Sequence, residues 1–98
     1  MAHHRVWQFR PPPERQREFA VAYASDGPWG ELFAQAPGFI ETRLLRGSGG
    51  WWLSIDSWDS AEAFEQFQAD HADAYAALDR TLEGVAGEER FVGAFDDV

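Results

Sequence analysis

The sequence predicts an α+β domain with an antiparallel sheet, its elements ordered β-α-β-β-α-β. Three observations carry that expectation. Residues 3–10, 39–46, 51–58 and 89–95 read as strands, rich in aromatic and branched side chains. Gly47-Ser48-Gly49-Gly50 joins the middle two as a hairpin turn. From Trp58 to Leu82 the apolar residues instead recur at helical spacing.

The first strand, HHRVWQFR from His3 to Arg10, places Trp7 and Phe9 on one face and Val6 and Gln8 on the other. Pro11, Pro12 and Pro13 end it. Glu14 to Ser25 reads as a helix with Phe19 and Tyr23 one turn apart, and Asp26-Gly27-Pro28 breaks it. A short helical piece then carries Trp29, Leu32 and Phe33 inward, and Pro37-Gly38 stops it. Strands follow at Phe39 to Arg46 and Trp51 to Trp58.

Asp59 followed by Glu62 is a capping-box signature, which starts the long helix near Ser60. Phe64, Phe67, Tyr75, Leu78 and Leu82 fall on one stripe of that helix, with His71 near its middle. Glu65, Asp73 and Arg80 mark the solvated face. After a break at Gly84 to Gly87, Glu89 to Phe95 is the last strand, with Phe91 and Phe95 on one side.

That order is the ferredoxin-like arrangement, with both main helices on one face of the sheet. The other face then meets water and should be polar. Here Trp51 and Trp52, Phe39 and Ile40, and Leu44 and Leu45 each point to opposite faces. A second apolar face needs a partner, most simply a second copy of the chain.

The 98 residues suffice for one domain, spanning 1–98. Hydrophobic content of 45% and aromatic content of 15% suit a packed core. A net charge of −9 repels phosphate backbones, which excludes nucleic acid as a partner. The absence of Cys excludes disulfides, thiolate nucleophiles and cysteine metal sites, and the absence of Lys excludes Schiff-base chemistry. No apolar run approaches a membrane span and no signal-peptide layout opens the chain, so a soluble cytoplasmic protein is expected. No nucleophile elbow or Ser-His-Asp arrangement is evident.

GPWGELF at 27–33, PGFIETRLLR at 37–46, LSIDSWDSAEAFEQF at 53–67, Tyr75 with Leu78-Asp79, and VGAF at 92–95 together resemble the antibiotic biosynthesis monooxygenase (ABM) superfamily. The resemblance implies a dimeric α+β barrel in which two ferredoxin-like sheets face each other. It also implies a cofactor-independent oxygenase whose electron-rich aromatic or polyketide-like substrate is its own reductant. Such a site needs a dry apolar pocket, a group that moves a proton, and donors for an enolate-like anion. The haem-degrading branch of the superfamily fits poorly. It asks for an Asn on the first strand, and this chain has none, Gln8 being the nearest amide. Phe67 stands near the place of that branch's helix Trp, and His71 comes too early for its axial ligand.

His71 and Tyr75 are the candidate catalytic residues; Trp58, Phe67, Arg43, Gln8 and Trp29 are the candidate substrate contacts. Each also has a plainer reading. His71 is either a neutral core histidine or a pocket acid or base. It has no second strong ligand on its helix face, so no metal and no other cofactor are expected. Trp58 is a packing anchor between sheet and helix or a pocket wall, and Trp29 either packs or covers a pocket mouth. Tyr75 lies on the core stripe and needs a partner for its hydroxyl. Arg43 makes a cross-strand ion pair or anchors a substrate anion. A different class of function also suits the same dimeric barrel: a non-catalytic module that binds a small ligand or supports assembly.

Overall fold

The computed structural model describes residues 1–98. Strands β1 (His3–Arg10), β2 (Phe39–Arg46), β3 (Trp52–Trp58) and β4 (Glu88–Asp96) form one antiparallel sheet in the order β2-β3-β1-β4. One face carries the helices α1 (Gln16–Tyr23), α2 (Pro28–Phe33), α3 (Ala61–Asp70) and α4 (Ala72–Thr81), with a single 3-10 turn at Pro13–Arg15 before α1. This is the ferredoxin-like α+β arrangement.

Local chemistry sets the boundaries. The proline run cannot continue the ladder of β1, and the Pro12 carbonyl instead accepts the Arg15 N–H at 2.9 Å to open the 3-10 turn. Pro28 occupies the first turn of α2, where its missing N–H costs nothing. Gly30 lets α2 close on the end of α1, since a Cβ there would stand 2.1 Å from the Ser25 carbonyl oxygen. In the hairpin, Gly49 and Gly50 take φ values of 68° and 83°, and the Gly47 N–H donates to the Trp51 carbonyl at 2.8 Å.

Three details differ from the sequence-based expectation. Ser60, not Asp59, is the helix cap: its Oγ accepts the Ala63 N–H at 3.1 Å, while the Asp59 N–H donates to the Gly38 carbonyl. The long helix is two helices, broken at His71 (φ −123°, ψ 22°). The break gives the halves different partners, α3 lying against β3 and α4 against α2, which one straight rod could not follow. Finally, Phe91 and Phe95 do not share a side. β1 pairs Val6 with Gly93 but Trp7 with Phe91, so Val92 is bulged and the alternation flips there. Phe91 meets Trp7 under the helices (5.0 Å between centroids), and Phe95 folds over Gly93 on the open face.

The core forms two clusters on the helix side. Trp29, Leu32, Phe33, Ala36, Trp58 and Phe67 make one. Phe9, Phe19, Trp52, Val85 and Ala86 make the other. The helix-free face presents Val6, Leu53 and Ile55 half-buried, with Leu45 and Phe95 exposed.

Candidate active site

Side chains of β3 that face the helices run Trp52, Ser54, Asp56, Trp58. The two tryptophans are buried pillars, one in each core cluster. Ser54 and Asp56, with Thr42 beside them on β2, are too small to fill the space between the pillars. Trp7 and Phe9 of β1 wall that space, and Tyr23, Trp29, Phe33 and Tyr75 roof it. Asp79 of α4 and Glu89 of β4 stand exposed at its rim. The resulting cleft has an interior of about 60 Å³ and opens to solvent.

Its innermost carboxylate is Asp56. Thr42 Oγ1 donates to Asp56 Oδ1 at 2.6 Å. Burial pushes the Asp56 carboxyl up to about 6, against the opposing pull of the Thr42 hydrogen bond and the Arg5 charge. Arg5 is the cross-strand partner of Asp56 but closes no ion pair with it. Its guanidinium instead lies over the rings of Phe64 (4.0 Å) and Phe91 (4.7 Å). The Tyr75 hydroxyl is held above its ordinary value by burial and then by the negative charges of Asp79, Asp56 and Glu89. The Tyr23 hydroxyl is driven up by burial and by Glu89. Glu89 is raised by burial and by Asp79. Both phenols therefore stay protonated donors at neutral pH. The Trp29 indole N–H, turned toward the Tyr23 hydroxyl, is buried without an acceptor.

The cleft brings together two of the expected site residues, Tyr75 and Trp29, whose rings lie 4.9 Å apart. Trp58 and Phe67 sit beside it in the sealed cluster, 5.1 Å apart, with the Trp58 N–H also unpaired. His71 stands outside the cleft at the α3–α4 junction, half-buried and stacked on Phe67 at 5.2 Å, its ring nitrogens without a hydrogen-bond partner. Arg43 and Gln8 face the opposite side of the sheet, paired across from Ile55 and Leu53. Sequence reasoning missed Asp56, Thr42, Ser54, Asp79 and Glu89. The signal for Asp56 and Ser54 was present in Trp52-x-Ser54-x-Asp56-x-Trp58, a strand face with a small, polar gap between two large residues.

One arrangement was invisible in the sequence. His4 Nδ1 lies 2.8 Å from Ser57 Oγ, and His4 Nε2 lies 2.7 Å from Asp97 Oδ1. This Ser-His-Asp string is structural. Ser57 is buried in a central strand paired on both sides, so no free backbone N–H groups face its Oγ to hold an oxyanion.

Comparison with known proteins now adds a family. The antibiotic biosynthesis monooxygenase model matches residues 2–78. The chain belongs to that family. SnoaB, a cofactor-independent oxygenase from Streptomyces nogalater, superposes in its N63A mutant form with a TM-score of 0.77 at 21% identity, over 98% of this chain and 92% of that one. The monooxygenase from ActVA-Orf6 of Streptomyces coelicolor, solved with the ligand nanaomycin D, gives 0.70 at 20% identity, over 99% and 88%. A conserved protein from Methanosarcina mazei Go1 gives 0.70 at 14%, over 100% and 94%. At these identities the ABM superpositions speak for the shared fold. No curated protein matches the sequence. No helix of this ABM chain is long and apolar enough to cross a membrane, and no group of three or more His, Cys, Asp or Glu side chains could hold a metal ion.

Proposed function

We propose that this ABM protein is a homodimeric oxygenase that oxidises an electron-rich aromatic or polyketide-like molecule in the aromatic cleft without a resident cofactor. One observation carries the reading: a deep, hydrogen-bonded carboxylate, Asp56, raised to about 6 inside an aromatic-walled cleft. A proton acceptor poised near the working pH is what oxidation of a phenol requires first. SnoaB, named a cofactor-independent oxygenase, and the nanaomycin D complex of the Streptomyces coelicolor monooxygenase support the chemistry and the ligand class.

The steps follow from the groups present. Asp56 takes the phenolic proton, and the N–H of Trp29 and the hydroxyl of Tyr75 donate to the anion left behind. The phenolate passes one electron to O₂, and the phenoxyl radical and superoxide combine at a ring carbon to form a C–O bond. At that carbon the ring C–H bond and the peroxide O–O bond then break together. The carbon becomes the second carbonyl, and its hydrogen leaves with the distal oxygen as hydroxide. Asp56 returns the phenolic proton to that hydroxide, leaving a quinone and water. Phenol and O₂ thus become quinone and H₂O, the substrate supplying every electron. The assay is an oxygen electrode with a panel of quinols: catalytic uptake matching quinone formed is expected. Saturable binding with no uptake across the panel would leave the non-catalytic ligand-binding module as the function.

Dimerisation rests on the open face, where Val6, Leu45, Leu53, Ile55 and Phe95 have no helix to cover them. A stable interface buries about 1,600 Å² in total. Light scattering at micromolar concentration should give twice the 11.1 kDa chain mass. Phe95→Glu should return the monomer, and a wild-type monomer would overturn the assembly.

A further inference from the structure

The reading of the cleft as a substrate site leaves its charge unexplained. Three carboxylates line it, Asp56 at the floor and Asp79 and Glu89 at the rim, and no cation does. Arg5, the nearest cation, is engaged by the rings of Phe64 and Phe91. A neutral quinone gains nothing from that charge, and an anion is repelled. Between floor and rim the walls are aromatic: Trp7, Trp29 and Tyr75 present rings to whatever enters. Carboxylates behind aromatic faces are the recognition chemistry of an organic cation.

A second observation points to the rest of the ligand. Trp29 is only 6% exposed and its ring lines the cleft, yet its indole N–H, turned toward the Tyr23 hydroxyl, closes no well-formed hydrogen bond. A buried donor left unpaired costs free energy that a ligand oxygen can recover. The depth agrees. An interior of about 60 Å³ is smaller than the ~150 Å³ cavity that encloses a benzene ring. A ring seated against Trp29 therefore extends its substituent to the mouth, where Asp79 and Glu89 stand.

We propose, resting on that substrate-site reading, that the cleft selects a phenolic amine: the phenol oxygen accepts from Trp29, and the protonated amine lies between the aromatic wall and the Asp79–Glu89 rim. The raised Glu89 carboxyl is consistent with a rim that lacks its counter-charge.

The test compares three phenols of one shape and different charge: tyramine (cationic), tyrosol (neutral) and phloretate (anionic). Each is titrated into isotopically labelled protein while the Trp29 indole N–H resonance is followed, assigned by its loss in Trp29→Phe. Tyramine should bind about tenfold tighter than tyrosol or better, the factor a partly desolvated cation–π contact supplies. Phloretate should bind more weakly than either. In Asp79→Asn/Glu89→Gln the preference for tyramine over tyrosol should vanish while tyrosol binds as before. Both side chains are exposed, so the fold is kept; should the double variant misfold, Glu89→Gln alone should narrow the preference. Equal affinities, a preference that survives the double variant, or tyramine binding that leaves the Trp29 resonance unmoved would each overturn the proposal; the last would show attraction to the acidic surface at large. Because binding is read without turnover, failure here is distinct from failure to consume oxygen.

Discussion

Trp58 and Asp56 are two residues apart on one face of β3, under the same helices, and they build opposite environments. Around Trp58 the space is sealed: Phe33, Phe39, Phe64 and Phe67 contact its ring at 5.1–5.7 Å between centroids. Around Asp56 the sheet offers the small Thr42 and Ser54, with the Arg5 guanidinium drawn away over Phe64 and Phe91, and the same kinds of aromatic ring stand back to leave a cleft. The helices do not decide which region opens. The volume of alternate side chains on the strand does. A site here is made by putting small polar residues where the neighbouring layers have tryptophan.

The sharpest way to break that contrast is Trp58→Ala. Truncating a fully buried Trp in a tight cluster costs about 3–5 kcal/mol, a large share of the stability of any small domain. Chemical denaturation should show a loss of that size. A loss below about 1 kcal/mol would mean that the cluster around Trp58 is as loose as the cleft, and the comparison would fall.

Asp56→Asn tests the other region and should separate stability from function. The amide keeps the shape and removes the charge. Turnover should fall by about 10²–10⁴, the contribution of a positioned proton acceptor. Stability should move the other way. With its carboxyl raised from 3.8 to about 6, the folded protein binds more protons than the unfolded chain between those values. Wild-type stability therefore declines as pH rises through that window, by about 1.4 kcal/mol for each pH unit crossed. At pH 7 the variant should melt higher than wild type, and at pH 4 the gap should close. Wild-type turnover should rise with pH through an apparent value near 6. A variant that melts lower at pH 7, or that turns over normally, would show Asp56 to be an ordinary structural carboxylate.

Much of the fold was legible because it depends on local chemistry: Trp7 and Phe9 alternate, Gly49 and Gly50 turn, and Pro28 opens a helix. What stayed hidden depends on registers and on layers meeting. The Val92 bulge that separates Phe91 from Phe95 exists only in the pairing with β1. The pairing of His4 with Ser57 and Asp97 spans the chain from end to end. Trp29 and Tyr75 line the cleft because aromatic rings on inward stripes border cavities as readily as cores. Arg43 and Gln8 lie across the sheet from this cleft; a strand's alternation tells which residues share a face, not which face the helices take.

His71 gives the smallest expected effect and the finest test of the boundary between the two regions. The helical stripe aimed it at the core, and a continuous helix would have held it between Phe67 and Tyr75. The break removes that constraint. Its ring lies on Phe67, at the edge of the sealed cluster and away from the cleft. No protein partner would be stranded by His71→Ala, so the penalty for an unsatisfied buried group does not arise. What is lost is one aromatic stack, worth about 0.5–1.5 kcal/mol beyond its buried area. For a domain of this size, 1 kcal/mol corresponds to roughly 4–8 °C in melting temperature. His71→Ala should thus lower the melting point by several degrees and leave turnover on an identified substrate unchanged. An unchanged melting point with turnover down by about 10²–10⁴ would place the imidazole in the reaction, which would require α4 to carry it into the cleft when substrate binds.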